Sequence, residues 1–306
     1  MDYFWIKNSQ GQFVNGHEQD DVVSYQNNVF IPVIKRFEAT KCVWTVEDVA
    51  VEGPPPSRCT VAWWHDKSTF YANDRRKICW VHKGDTAVPY VKGEGASQMV
   101  TNFVSADYGW LKSPDGKEQA HVLFKAGKAC QGYFTNDDIL NHASTAMDIL
   151  ETCSPDAGHV LIFDNATTHL KQADDALSAR KMPKNIPKDN KNWGVEVNAT
   201  GEDGKPVYGA DGKVLKKIVK MGDGRFANGS PQSLYFADDD TEHPGKFKGM
   251  ATILAKWGFA NTSWIQAECP RFKCTKGATN CCCCCMLYNQ PEFFSVESLL
   301  ETLCKA

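Results

Sequence analysis

Residues 159–163, "HVLIF", form an apolar run without alternation, and the run stops at Asp164, Asn165 and, five residues past the acid, His169. A strand with one solvated face alternates apolar and polar residues, so a short unbroken run predicts a strand buried on both faces, in the middle of a sheet. The segment before it, "TNDDILNHASTAMDILETCS", predicts a helix. Thr135 or Asn136 is a suitable N-cap, and Ile139, Leu140, Ala143, Met147 and Leu150 share one helical face. Further upstream, "CTVAWWHDKSTF" (59–70), "KICWVHKG" (77–84) and "SQMVTNFVSADYGWL" (97–111) have strand-like content with polar breaks between them. Three strands, a helix and a central buried strand predict an α/β fold with a mixed sheet flanked by helices.

The flanks differ in character. "EGPPPS" (52–57) is a stiff boundary, which sets an N-terminal helical segment with its linker, 1–56, apart from residues 57–306. Within that segment Val22, Val23, Tyr25, Val29 and Phe30 lie on a roughly helical stripe, and Pro32 is expected to kink or end its first part. A short helix is expected over 171–181. An irregular hairpin- and cysteine-rich insert follows over about 183–290; "GEDGKPVYGADGKVL" carries two Asp-Gly pairs, and cations outnumber acids eleven to seven between residues 171 and 220. "KFKGMATILAKWGF" predicts a helix stopped at Gly258, and Ser298 with Glu301 has capping-box spacing.

No apolar stretch is long enough to cross a bilayer, and the start "MDYFWIKNSQGQF" lacks a signal-peptide pattern, so an intracellular protein is expected. Thirteen cysteines then read as reduced thiols rather than a disulfide scaffold. A formal charge of −3 is too near neutrality for a complete DNA-gripping machine, though not for part of one.

Two acids stand at strand tips. Asp66 follows "VAWWH" and Asp164 follows "HVLIF". If the two strands are neighbours, their carboxylates meet at one sheet edge. They then repel unless a cation lies between them, and hard oxygen donors suit Mg²⁺ or Mn²⁺. Such a pair can hold two ions about 4 Å apart for phosphodiester chemistry. Each acid taken singly is as well explained as a turn former or cap, and a lone His169 as a hydrogen-bonded structural residue. Lys67 is expected to set an ammonium against Asp66 in competition with metal.

"IFDNATTH" resembles the second acidic motif of the mariner-like branch of the DDE/D transposase superfamily, and "AWWHDKSTFYANDRRKICWVHKG" is similar to the segment bearing the first acid. "GHEQDDVV", "KGEGAS", "DDALSARKMPKN" and "FKCTKGATNCCC" resemble fungal transposon-encoded members. The resemblance implies a ribonuclease H-like core, a divalent-metal DNA endonuclease and strand transferase acting on transposon ends, a homodimer and a nuclear location. It makes Asp66 and Asp164 the catalytic acids, with Asn165 and His169 in support. It also implies a helical DNA-binding region ahead of Gly16 and a third acid beyond Ala306, while Glu292, Glu297 and Glu301 stand in the wrong context to replace it. With two acids the expectation is a weak or inactive enzyme, since misplacing a reacting group by about 1 Å can cost on the order of a hundredfold in rate. The competing expectation is a non-catalytic nucleic-acid- or protein-binding remnant.

"CPRFKCTKGATNCCCCC" gathers thiols around turn residues. Cys269, Cys274, Cys281 and Cys282 could close a tetrahedral structural Zn²⁺ site, although the spacing matches no CxxC pair and free, partly buried thiols explain the stretch as well.

Overall fold

The computed structural model describes residues 19–41, 59–73, 93–127, 130–188, 191–201, 206–226, 228–275 and 277–306. The expected strand at 77–84 and the "EGPPPS" boundary lie outside the described residues. The chain divides into two compact units, residues 1–165 and 166–306.

The first unit is built on a mixed sheet. β1 (Thr60–Tyr71) pairs antiparallel with β2 (Ser97–Ser105), which turns through Gly109, at φ +69°, into the short β3 (Gly109–Trp110) and also pairs with β4 (His121–Phe124). α3 (Asn136–Cys153) then crosses over, and β5 (Gly158–Ile162) returns parallel to β1. The sheet order is β3-β2-β1-β5, with β4 alongside β2. The capping box explains where α3 starts: the Thr135 hydroxyl accepts from Asp138 N, and the Asp138 carboxylate accepts from Thr135 N at 2.7 Å. Its buried face is Ile139, Ala143, Ala146, Ile149 and Leu150, while Leu140 and Met147 are half-buried. His142 on α3 meets the rings of His65 (5.3 Å) and Phe103 (4.8 Å), so α3 covers the sheet face that carries His65, Phe103 and Val61.

β5 departs from expectation. Among the described residues it pairs on one side only, and all five of its residues are half-buried rather than enclosed. The missing alternation goes with cover of intermediate depth along the whole strand.

In the N-terminal segment α1 (Asp20–Tyr25) runs through a π-helical stretch, Gln26–Phe30, into α2 (Ile31–Glu38), with Pro32 in the first turn of α2. The expected stripe is present but exposed: Val22, Val23, Tyr25, Val29 and Phe30 are all solvent-accessible.

The second unit has its own core of Leu234, Tyr235, Phe247, Met250, Ile253, Leu254, Met286, Leu287 and Phe293. Much of the segment read as an irregular insert thus supplies a packed interior. The Asn192 side chain fastens it, accepting from Phe247 N (2.9 Å) and donating to Gly245 O (2.9 Å). α4 (Met250–Lys256) is preceded by Gly249 at φ +81°, where a Cβ would lie 2.6 Å from the Asn185 carbonyl carbon, so only glycine fits. Gly258, at φ +89°, follows its end as expected. β6 (Val195–Asn198) and β7 (Lys216–Val219) form a hairpin extended by a Tyr208–Val214 bridge over the Asp211–Gly212 turn. Two small strands, β8 (Gly224–Arg225) and β9 (Pro231–Gln232), pair beside it. α5 (Cys283–Tyr288), α6 (Pro291–Phe294) and α7 (Leu299–Lys305) close the chain, the last with the Ser298–Glu301 capping box in place. No helix forms over 171–181. There the Asp175 carbonyl accepts from Gly222 N at 2.7 Å, and this long-range contact holds the segment in turns.

Candidate functional site

The two acids belong to neighbouring parallel strands, Asp66 within β1 and Asp164 two residues past the end of β5. β1 and β5 pair from Thr60↔Gly158 to Trp64↔Ile162. The next pair is still in step, because the rings of His65 and Phe163 lie 5.0 Å apart on the α3 side. β5 ends at Ile162, and the same register carried on for two residues would bring Asp164 level with Asp66. In-register residues of parallel neighbours point to the same face, about 4.8 Å apart across the sheet, so on that continuation both carboxylates would project from the face turned away from α3. Both residues are exposed.

The same level of the sheet carries two more polar residues. Asp66 is the register partner of Asn102 on β2, and Asn102 that of His121 on β4. Paired residues of antiparallel strands share a face, so Asp66, Asn102 and His121 form one row across three strands. Asn102 Nδ2 lies 3.0 Å from His121 Nδ1, and Asn102 is 93 % covered, being 7 % exposed. Nothing in the sequence marks these two residues, because their membership depends on register alone.

Beneath the row lies a buried layer. The Thr101 hydroxyl donates to the Asp66 carbonyl oxygen (3.2 Å) and therefore accepts the Nε2 proton of His65 (2.9 Å). His142 Nε2 donates to Ala120 O at 3.1 Å, and burial holds the imidazole of His142 below the usual histidine range. His65 is thus a structural residue of this layer.

Lys67 does not do what the sequence suggested. Alternation along β1 turns its side chain to the face opposite Asp66; what it gives the acid is its backbone N–H, which donates to Asp66 Oδ1 at 2.8 Å. Asn165 is exposed and ends the first unit; His169 lies in the second unit, buried, in the turn closed by its N–H to Ala166 O. The three downstream glutamates are locally engaged. Glu292 accepts from Arg225 N, Glu297 pairs with Lys305 Nζ at 2.7 Å, and Glu301 accepts from Ser298 N.

Two exposed carboxylates brought to one level would fit a hard divalent ion. Mg²⁺ commonly takes one or two protein carboxylates and completes its shell with water and phosphate oxygens. Asn102 and His121 add donors suited to a phosphate beside it.

A second cluster forms in the second unit. The sulfurs of Cys269, Cys274, Cys281 and Cys282 all lie within 4.8 Å of one another. Cys269 Sγ donates to Cys281 Sγ at 3.6 Å, and Cys274 and Cys282 stand 4.0 Å apart. That shared proton raises the Cys269 thiol; at Cys281 burial opposes ionisation, but hydrogen bonds from Cys274, Cys269 and other neighbouring thiols outweigh it and lower the group. Of the other three thiols of the run, Cys283 and Cys284 turn elsewhere, while Cys285 also interacts with Cys281 and Cys274. Cys283 donates to Thr262 O, Cys284 to Ala179 O and Cys285 to Ala278 O. Burial pushes all three up, Cys284 to about 11. Ten described cysteines are free, and the exception to the expected reduced thiols is Cys59, which is disulfide-bonded.

No family profile matches the chain, and no curated protein matches it. Among solved structures it is similar to the mariner Mos1 paired end complex with Mg, at 13 % identity over 54 % of this chain and 42 % of that one, with a TM-score of 0.33. It is similar also to a pre-cleavage Mos1 transpososome (14 % identity, 53 % and 42 % covered, TM-score 0.30). A Mos1 strand transfer complex gives 13 % identity, 54 % and 56 % covered and a TM-score of 0.25. The chain thus spans well under two thirds of the length of each, and TM-scores this low carry no assignment. Among the described residues no helix is long and apolar enough to cross a membrane.

Proposed function

We propose that residues 57–306 carry a ribonuclease H-like core of DDE/D type, in which Asp66 and Asp164 hold Mg²⁺ or Mn²⁺ for phosphodiester cleavage and strand transfer in DNA. The observation that carries this reading is the parallel pairing of β1 with β5 up to Trp64↔Ile162 and the His65–Phe163 ring contact beyond it, a register whose continuation would set the two exposed acids at one level. The strand order supports it: an antiparallel set led by β1, then a helix, then β5 returning parallel beside β1.

A divalent ion held there would supply the charge that activates water or a 3′ hydroxyl and stabilises a leaving oxygen. The chain's own part is placement. Asp66 is held through its carbonyl by Thr101 and through Oδ1 by the Lys67 N–H. Asn102 and His121 offer hydrogen bonds to a phosphate. In this reading the substrate is DNA at transposon ends, the working form is a homodimer and the compartment is nuclear. With two acids as ligands, the 306-residue chain is expected to hold the ion weakly and to cut slowly.

A second reading, a remnant that binds nucleic acid without chemistry, is favoured by the local engagement of Glu292, Glu297 and Glu301. Incubation of the chain with supercoiled plasmid and Mn²⁺ separates the two. Slow nicking that disappears in Asp164→Ala supports the nuclease. DNA retention with no nicking favours the remnant, and absence of both removes the nucleic-acid reading altogether.

A further inference from the structure

We propose that Cys269, Cys274, Cys281 and Cys282 form a structural Zn²⁺ site that pins the 269–282 loop to the start of α5, a site independent of the acid pair.

The geometry suits Zn²⁺. Four thiolates around one Zn²⁺, each about 2.3 Å from it, stand about 3.8 Å from one another in a tetrahedron. The 3.6 Å and 4.0 Å sulfur separations bracket that value, and the whole quartet lies within 4.8 Å. Both separations are far beyond the roughly 2.05 Å of a disulfide bond. An iron–sulfur cluster is disfavoured as well, since its cysteines bind different irons and spread around several metal atoms, whereas this quartet converges on one point. Four protein ligands leave no open position, which marks a structural rather than a catalytic zinc.

Neighbouring groups support the sulfurs. Gln266 Nε2 donates to Cys269 Sγ (3.3 Å), and the Cys285 backbone N–H donates to Cys282 Sγ (3.3 Å). Such donors outside the ligand set orient thiolates and moderate their charge, and the loop between the ligands carries the cations Arg271 and Lys273. An entry path exists, because Cys269, Cys274 and Cys282 line a cavity of about 740 Å³ with Leu177, Tyr288 and Phe293.

The five-cysteine run then divides by role. Cys281 and Cys282 are ligands, Cys283 and Cys284 pack or bond to carbonyls, and Cys285 bonds to Ala278 O and stands beside the quartet, where its thiol interacts with Cys281 and Cys274. Cys283, Met286 and Leu287 belong to the core of the second unit, so an ion at the start of α5 would tie the loop directly to that core.

The test uses the full chain, purified under reducing conditions after expression with zinc. Metal analysis is expected to find about one zinc per chain, and Co²⁺ exchange to give the intense visible bands of a tetrahedral thiolate site. Thiol alkylation read by mass spectrometry requires no variant. Cys269, Cys274, Cys281 and Cys282 should be protected at least tenfold in the zinc form relative to the chelated form, with the exposed Cys130 and Cys153 reacting equally in both. Cys281→Ser should lose the zinc and Cys284→Ser keep it. Three results would overturn the proposal: no zinc in chain that is folded by circular dichroism, iron with labile sulfide in its place, or zinc present while Cys274 alkylates at the same rate with and without chelator.

Discussion

The ring of His65 lies 5.0 Å from that of Phe163, one step beyond the last hydrogen-bonded pair of β1 and β5. Carried on by one residue, that step would set Asp66 and Asp164 at one level and on one face. A shift of one residue in either strand would send one acid to the α3 side. The candidate chemistry therefore depends on an apolar contact between two residues that take no part in it.

Asp66→Asn and Asp164→Asn should each abolish Mn²⁺-dependent nicking and weaken Mn²⁺ binding by at least tenfold, as read by titration calorimetry. Folding should hardly change. Both side chains are exposed, Asn keeps an oxygen that can accept the Lys67 N–H at position 66, and exposed substitutions typically stay within about 0.5 kcal/mol. A loss of several kcal/mol in a urea titration of either variant would show that the acids serve the fold instead.

Thr101→Val tests the buried layer under the acid. The substitution keeps shape but leaves His65 Nε2–H and the Asp66 carbonyl without the hydroxyl that joins them. Stranding buried polar groups costs about 1–3 kcal/mol. Urea unfolding should show a loss of that size, and the metal affinity of Asp66 should fall although its carboxylate is intact. Unchanged stability would mean that the hydroxyl bridge contributes little.

Thr135→Ala removes the cap of α3. The Thr135 side chain accepts from Asp138 N, and caps of this kind are worth about 1 kcal/mol. Thermal melting should shift down correspondingly, with Thr135→Ser close to the parent.

What the sequence made legible was whatever local chemistry decides. α3 carried its own start signal in Thr135 and Asp138 and its own buried stripe, and α7 carried Ser298 and Glu301. The thiol quartet could be named because soft ligands are scarce and these lie close along the chain, although the spacing fits no familiar pair. What escaped depends on distant contacts. β4 is four residues long with Leu123 exposed, too short for alternation to stand out, so Asn102 and His121 could not be placed beside Asp66. α5 forms from residues of modest helix propensity because Cys283, Met286 and Leu287 pack into the core. The opposite error, a helix expected at 171–181, arose because the contact between Asp175 and Gly222 is invisible locally. Lys67 was misjudged for a simpler reason: adjacency in sequence is opposition across a strand.

His142 should make the first unit sensitive to acid. It is 3 % exposed among the rings of His65 and Phe103. Burial lowers its folded-state pKa, while the unfolded chain titrates near the free value of about 6.5. Between those two values the unfolded state binds the extra proton, so stability is fully present above about pH 6.5 and is lost as pH falls below it. One such group contributes a slope of at most about 1.4 kcal/mol per pH unit. Urea midpoints measured from pH 7.5 down to 5.5 should fall mainly below pH 6.5. His142→Phe should flatten that dependence, at the cost of leaving Ala120 O without its donor and lowering stability at pH 7.5. A variant as acid-sensitive as the parent would place the titrating group elsewhere.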